Sequence, residues 1–247
     1  MSLQKSPTRD TDWKIVVTSV VGIHQPNFLP WLGFFNKVLQ ADVFVLLDDV
    51  QFVKGEVTNR VKLLISGEAR WLTCPVLTSG SGSSNISEKQ LDSSLRWREK
   101  NLMAIRQSYG RHPFFEQVIG ALGPLLSDTE PSLVQYNFSL IAAISRGLGL
   151  GDEKFRLGSE LGVESYSTQR LVDLTKIVGG SCYLTGGGAQ GYQDDQLFEN
   201  AGVAVEYQNF KARPYPQKGM ENFVPGLSIL DCLFNIGWDE TTEYLKQ

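Results

Sequence analysis

The sequence predicts an α/β fold with a mostly parallel, Rossmann-like central sheet and a helical insertion. Three observations carry this. Two apolar, β-branched runs, residues 15–23 and 43–47, flank a helical pattern at 31–41, the signature of a βαβ unit. From 88 to 150 the apolar spacing turns helical, with Pro113, Pro124 and Pro131 between segments. After 150 the strand–helix rhythm resumes.

The elements follow in order. Residues 1–13 are polar and read as a disordered N-terminus; 14–247 read as a single α/β domain with 88–150 as a helical insert or cap. Runs 61–65 and 71–76 around Ser66-Gly67-Glu68 predict a β-hairpin, and 78–85 is a Ser/Gly-rich loop. One helix takes Leu91, Leu95, Leu102 and Ile105, a second spans 114–122 and a third 133–148. Then come a strand at 155–157, a helix at 168–178 closed by Gly179-Gly180, and a strand at 182–185. A short helix at 194–200, a strand at 203–207 and two terminal helices, 227–235 and 239–246, complete the chain.

Composition excludes several classes. A net charge of −4 argues against a general nucleic-acid surface, and the 15–23 run is too short for a membrane span. Cys74, Cys182 and Cys232 show no metal-ligand spacing and read as buried reduced thiols of a cytoplasmic protein. Cys74 has no histidine nearby to activate it, and His112, beside Pro113, reads as structural.

The chemistry-bearing residues cluster at the ends of the predicted strands. His24, one of two histidines, closes the first strand and leads into Gln25-Pro26-Asn27 and Trp31. Two prolines stiffen this loop, so Gln25 and Asn27 lose little entropy on binding, and a helix N-terminus follows that suits an anion. The alternative is a histidine that satisfies a strand edge. Asp48-Asp49 ends the second strand and can act as general base, hold Mg²⁺ or bind sugar hydroxyls, with turn and cap chemistry as the alternative. Alternation favours Asp48 as the carboxylate facing the crevice. Asn59-Arg60 opens the next strand, where the arginine fork can clamp a diphosphate; Lys54 is less specific. Gly186-Gly187-Gly188 lets backbone N–H groups approach a ligand oxygen, with Tyr192 and Asp195 within reach of a sugar or base. Near the end stand Gln217 and Asp231; Ser228 suits a helix cap, and Asp231 shares a face with Asn235. His24, Asp48 and the glycine loop are expected to line one pocket, since neighbouring parallel strands bring their carboxyl ends to one edge.

The motifs HQPNFLPWLGFFNK, ADVFVLLDDVQFVKGEVTNR, RWLTCPV, RLVDLTKIVGGSCYLTGGGAQGY, YPQ and FVPGLSILDCLFNIG resemble those of the WbqC-like family, in its order, from about residue 15 to 237. The resemblance implies a role in bacterial surface-glycan and O-antigen biosynthesis. It names a pathway, not a reaction. Gly22-x-x-Gln25-Pro26 through Gly33-Phe34 also resembles the first loop of HIGH-type nucleotidyltransferases, which cradle a triphosphate. Here Phe34 stands where the histidine follows the glycine, and no KMSKS-like loop is evident, which argues against adenylyl transfer.

The combined reading is a transferase that places an acyl or aminoacyl group on a nucleotide-activated sugar. His24 or Asp48 is the base, with Asp49 beside it as a further candidate catalytic residue, and Arg60 and the two loop backbones hold the diphosphate; no cofactor is specified, though Mg²⁺ suits the acid pair. A homo-oligomer is compatible with the chain. Two alternatives remain: transfer of an amino acid or amine to another pyrophosphate-activated nucleotide acceptor, or a non-catalytic nucleotide-sugar-binding subunit of a glycan-assembly complex.

Overall fold

In the computed structural model, residues 19–77, 84–186 and 193–247 are described. The expected disordered N-terminus, the start of the 15–23 run and most of the Ser/Gly loop lie outside them.

The sheet begins with β1 (Val20–His24), crosses through α1 (Leu32–Gln40) and pairs in parallel with β2 (Val43–Leu46). After a long excursion the chain returns as β5 (Phe155–Leu157), parallel to β2 on its far side. Helix α5 (Ser167–Ile177) then carries it back across the sheet to β6 (Cys182–Gly186), parallel to β1. Helix α6 (Asp195–Asn200) leads to β7 (Ala204–Gln208) at the other edge. Among the described residues the order is β5-β2-β1-β6-β7, all parallel. This is the expected Rossmann-like sheet. Its strand order reverses between β1 and β6, which opens a crevice at their carboxyl ends.

Alternation along the strands feeds two cores. Val21, Ile23, Val45 and Tyr183 pack with Val172 and Leu174 of α5 and Phe198 of α6 on one face. Phe44 and Leu46 face the other way, into a larger core that holds Phe34, Phe35 and Val38 of α1. The same core joins the excursion through Leu140, Ile141 and Ile144 of α4 (Leu133–Gly147).

The excursion starts with an antiparallel hairpin, β3 (Arg60–Ile65) and β4 (Glu68–Thr73). Its second strand begins three residues before the expected 71. Ser66 and Gly67 both have positive φ (55° and 80°), the two-residue turn that lets Glu68 pair with Ile65 at once. The apolar pattern hid this, because Glu68, Ala69 and Arg70 are exposed.

Three helices follow, α2 (Trp97–Tyr109), α3 (Phe115–Leu126) and α4. Leu91 and Leu95 do not join the first of them. Leu91 bridges Val76, and Asp92 Oδ1 accepts from the Ser94 N–H, a turn that delays the helix to Trp97. Pro124 falls in the last turn of α3 instead of ending it. The two expected terminal helices form one run, α7 (Ile229–Leu245), broken at Gly237 (φ 77°) against the Phe114 ring.

Candidate functional site

The crevice between the ends of β1 and β6 is a cavity of about 380 Å³. His24, Trp31, Lys37 and Gly186 line it, with Gln208 and Lys211 from the segment that ends β7. Three residues singled out in the sequence, His24, Trp31 and Gly186, therefore meet here.

Each is positioned by local chemistry. Trp31 precedes α1, and no side chain caps that helix, so its first-turn end is presented to the crevice through Gly33. The Trp31 indole lies over Gly33, where a Cβ would overlap the ring. Gln208 Nε2 donates to the Gly33 carbonyl (2.7 Å) and to Asn36 Oδ1 (2.6 Å), fastening the end of β7 to α1. These two bonds hold the end of β7 against α1 along the wall of the crevice.

His24 packs its ring edge-on to Phe34, with centroids 5.2 Å apart. Burial, and then the Lys37 charge, lower its pKa from 6.5 to about 4. The ring is neutral near pH 7. Its Nδ1 lies 3.1 Å from the Gln25 carbonyl, which only accepts, so Nδ1 carries the hydrogen and Nε2 is left with its lone pair.

Lys37 is the decisive group. It is 4% exposed, forms no ion pair among the described residues, and burial lowers its pKa from 10.5 to about 8. A Cβ on Gly186 would lie 3.8 Å from its Nζ, which places the ammonium at the end of β6. Side chains in a helix lean toward its N-terminus, so Lys37 reaches back along the face it shares with Gly33 and Phe34 to the crevice. A buried cation without a counter-ion is costly unless a ligand supplies the negative charge. Lys211 adds a second cation, and among the described residues no carboxylate lines the crevice.

The expected acids lie elsewhere. Asp48 is 1% exposed and its carboxylate is taken by Ser159, from the backbone N–H (2.9 Å) and the hydroxyl (2.7 Å). It holds the turn after β5 and does not line the crevice. Asp49 is ion-paired with Arg170, beside a separate cavity lined by Ser167, Thr168 and Arg170. Burial raises the Asp49 pKa, a shift the Arg170 charge opposes. Asp231 is fully buried and accepts from Tyr109 (2.7 Å), Tyr215 (2.7 Å) and Gln217 (2.9 Å). Asp231 and Gln217 are therefore interior partners of each other. Ser228 does cap α7, accepting from the Leu230 N–H, and Asn235 donates to the Asp231 carbonyl.

Arg60, the expected diphosphate clamp, also lies away from the crevice. Its guanidinium carbon lies 4.1 Å from the centre of the Trp71 ring on the hairpin, and it does not line the crevice. Asn59 donates to the Cys74 carbonyl, and Gln25 Oε1 accepts from Thr58. Asp195 sits in the first turn of α6 and accepts from Tyr207. Asn27 lies on the far side of Trp31, in a second cleft. Gly187, Gly188 and Tyr192 lie outside the described residues. Among those described, no three His, Cys, Asp or Glu side chains gather as a metal site, and no helix is long and apolar enough to cross a membrane.

Sequence reasoning missed Lys37, Gln208 and Lys211. A signal for Lys37 was present: it is the only charged residue of an otherwise largely apolar helix, three and four positions from Phe34 and Gly33.

Residues 25–243 match the WbqC-like protein family. The chain belongs to this family. An uncharacterized protein of Mycobacterium tuberculosis strain H37Rv, Rv1507c, is 30% identical over 230 residues, 92% of this chain and 97% of that protein. No solved structure matches the chain. The matched residues include the crevice-lining Trp31, Lys37, Gly186, Gln208 and Lys211, and begin one residue after His24.

Proposed function

We propose that this WbqC-like protein is a cytoplasmic transferase of bacterial surface-glycan assembly. It holds the phosphates of a nucleotide-activated sugar in the β1–β6 crevice and places an acyl or aminoacyl group on that sugar. The observation that carries the reading is Lys37, a buried and unpaired cation beside an uncapped helix N-terminus at a topological switch point. A diphosphate supplies the charge that Lys37 and Lys211 lack.

Beside the phosphates, His24 Nε2 is the base. An amine or hydroxyl of the sugar attacks the carbonyl carbon of an activated acyl donor, its proton passes to Nε2, and the donor's leaving group departs with the bonding electrons. Before substrate binds, His24 is a weak base, because burial and the Lys37 charge oppose its protonation. Phosphate neutralises Lys37 and so raises the basicity of His24 when substrate is in place.

Titration calorimetry and thermal unfolding with UDP, GDP and dTDP test this. At 100 times Kd a bound diphosphate stabilises by about 2.7 kcal/mol, about 5–10 °C for a chain of this size. Lys37→Met is expected to remove the shift. Absence of any diphosphate binding overturns the reading. Tight binding without acyl transfer favours a binding subunit instead, and release of pyrophosphate favours transfer to a nucleotide.

A further inference from the structure

Trp31 is a shared wall. One side of it faces the crevice, and the other opens into a cleft of about 80 Å³ bounded by Asn27, Val57, Lys62, Trp71 and Gly226. We infer that this cleft is the subsite for the sugar ring of the ligand whose phosphates occupy the crevice. The inference rests on the phosphate reading above and adds what that reading leaves open.

Three features point to a sugar. Two indoles meet the solvent here, with Trp31 37% and Trp71 44% exposed, an uncommon display for the bulkiest apolar side chain. A pyranose offers such a surface its flat C–H face. Asn27 is 3% exposed and its Oδ1 has no hydrogen-bond partner, a buried acceptor suited to a sugar hydroxyl. Arg60 Cζ lies 4.1 Å and Lys62 Nζ 5.0 Å from the Trp71 ring centre, so cationic donors for further oxygens stand over the indole that borders the cleft. Among the described residues, none that lines the cleft is acidic.

The cleft is also held open. Asn137 of α4, itself fully buried, donates to the carbonyls of both Pro26 and Thr58 at 2.8 Å, and the Phe28 N–H donates to the Val57 carbonyl. One interior amide thus fastens the two loops that carry Asn27 and Val57. Size separates the occupants. The cleft admits part of one ring and no nucleoside, whereas the crevice, nearly five times larger, has room for a diphosphate and ribose.

Saturation-transfer NMR and calorimetry on the full chain test the assignment, with UDP, UDP-N-acetylglucosamine, UDP-galactose, GDP-mannose and dTDP-glucose as probes. In the wild type the sugar-ring protons are expected to receive strong saturation. Trp71→Ala, at an exposed hairpin position, is expected to weaken the preferred nucleotide-sugar about tenfold and its parent diphosphate less than twofold, with Trp71→Phe retaining most of the affinity. The subsite is overturned if Trp71→Ala leaves nucleotide-sugar affinity unchanged or weakens diphosphate and nucleotide-sugar alike. Saturation confined to the base overturns it too. Failure of the phosphate reading has a different mark: no diphosphate binds the wild type. In that case free N-acetylglucosamine, galactose, mannose and glucose decide the cleft, supporting it by Trp71-dependent saturation and overturning it by the lack of any.

Discussion

The carboxyl edge of the sheet has two halves that look alike in sequence and differ in chemistry. At the β1–β6 crevice His24 keeps a free Nε2 and Lys37 keeps an uncompensated charge. At the β2 side and in the adjoining core, the carboxylates are engaged by the fold: Asp48 by Ser159 and Asp231 by two tyrosines and Gln217, while Asp49 gives one oxygen to Arg170 and keeps Oδ1 buried without a partner. A buried polar group whose valences are filled by the fold stabilises the fold. One whose valences are left open costs stability and stays available to a ligand. That contrast, more than residue type, separates the candidate site from the architecture around it.

Removing a saturated acid should cut deepest. Asp231→Ala leaves the Tyr109 and Tyr215 hydroxyls and the Gln217 amide without their acceptor, so a loss of about 3–5 kcal/mol is expected in denaturant unfolding. Diphosphate affinity in the folded variant should stay within twofold. A tenfold loss of affinity would break the distinction between the two halves.

The opposite behaviour is expected of Lys37. Its lowered pKa means that the folded chain bears about 3 kcal/mol for the charge at neutral pH, and Lys37→Met should recover about 1–3 kcal/mol of it as added stability. The same variant should weaken diphosphate binding about 30- to 100-fold, the worth of a charged hydrogen bond in a desolvated site. In the wild type, affinity should fall as pH rises through about 8, where Lys37 loses its proton, and the variant should lack that fall. A variant that is both less stable and unimpaired in binding would assign Lys37 to the core.

His24 gives a smaller signal with a definite sign. Its folded pKa of about 4 lies below the 6.5 of the unfolded chain, so on acidification the unfolded chain binds the proton first. Between pH 6.5 and 4 the wild type should lose about 1–3 kcal/mol from this group, while above pH 6.5 the contribution is level. His24→Asn should flatten that part of the profile. Coincident slopes for the two proteins would mean that His24 is solvated and charged, and unfit to leave Nε2 free.

The sheet was legible because β-branched runs and glycine stops are local signals; His24 and Gly186 end such runs, and Trp31 stands just before the helix that follows the first. The acids misled for the same reason. Asp48, Asp49 and Asp231 stand at plausible places, but Ser159 lies 111 residues from Asp48, Arg170 121 from Asp49 and Tyr109 122 from Asp231, with Tyr215 and Gln217 16 and 14 residues before it. Lys37 was obscured by its position inside a helix, where only the direction of the side chain brings it to the strand ends. Local pattern locates candidate groups; which of them remain unpaired is decided by packing.

The smallest effect is expected where the sequence alone suggests one of the largest. An arginine fork at the start of β3 invites a diphosphate-clamp role, for which Arg60→Lys would cost roughly 10- to 100-fold in affinity. The guanidinium instead lies over the Trp71 ring, with its carbon 4.1 Å from the ring centre, and does not line the crevice. Lysine keeps the positive charge and loses only the planar stack, a contribution of about 0.5–1 kcal/mol at a partly exposed ring. Diphosphate affinity by calorimetry should therefore stay within twofold in Arg60→Lys, with stability lowered by less than about 1 kcal/mol. A loss of 10-fold or more with UDP, GDP or dTDP would carry the phosphates over Trp31 to the hairpin, and the division between an unpaired crevice and a saturated remainder would have to be redrawn around Arg60.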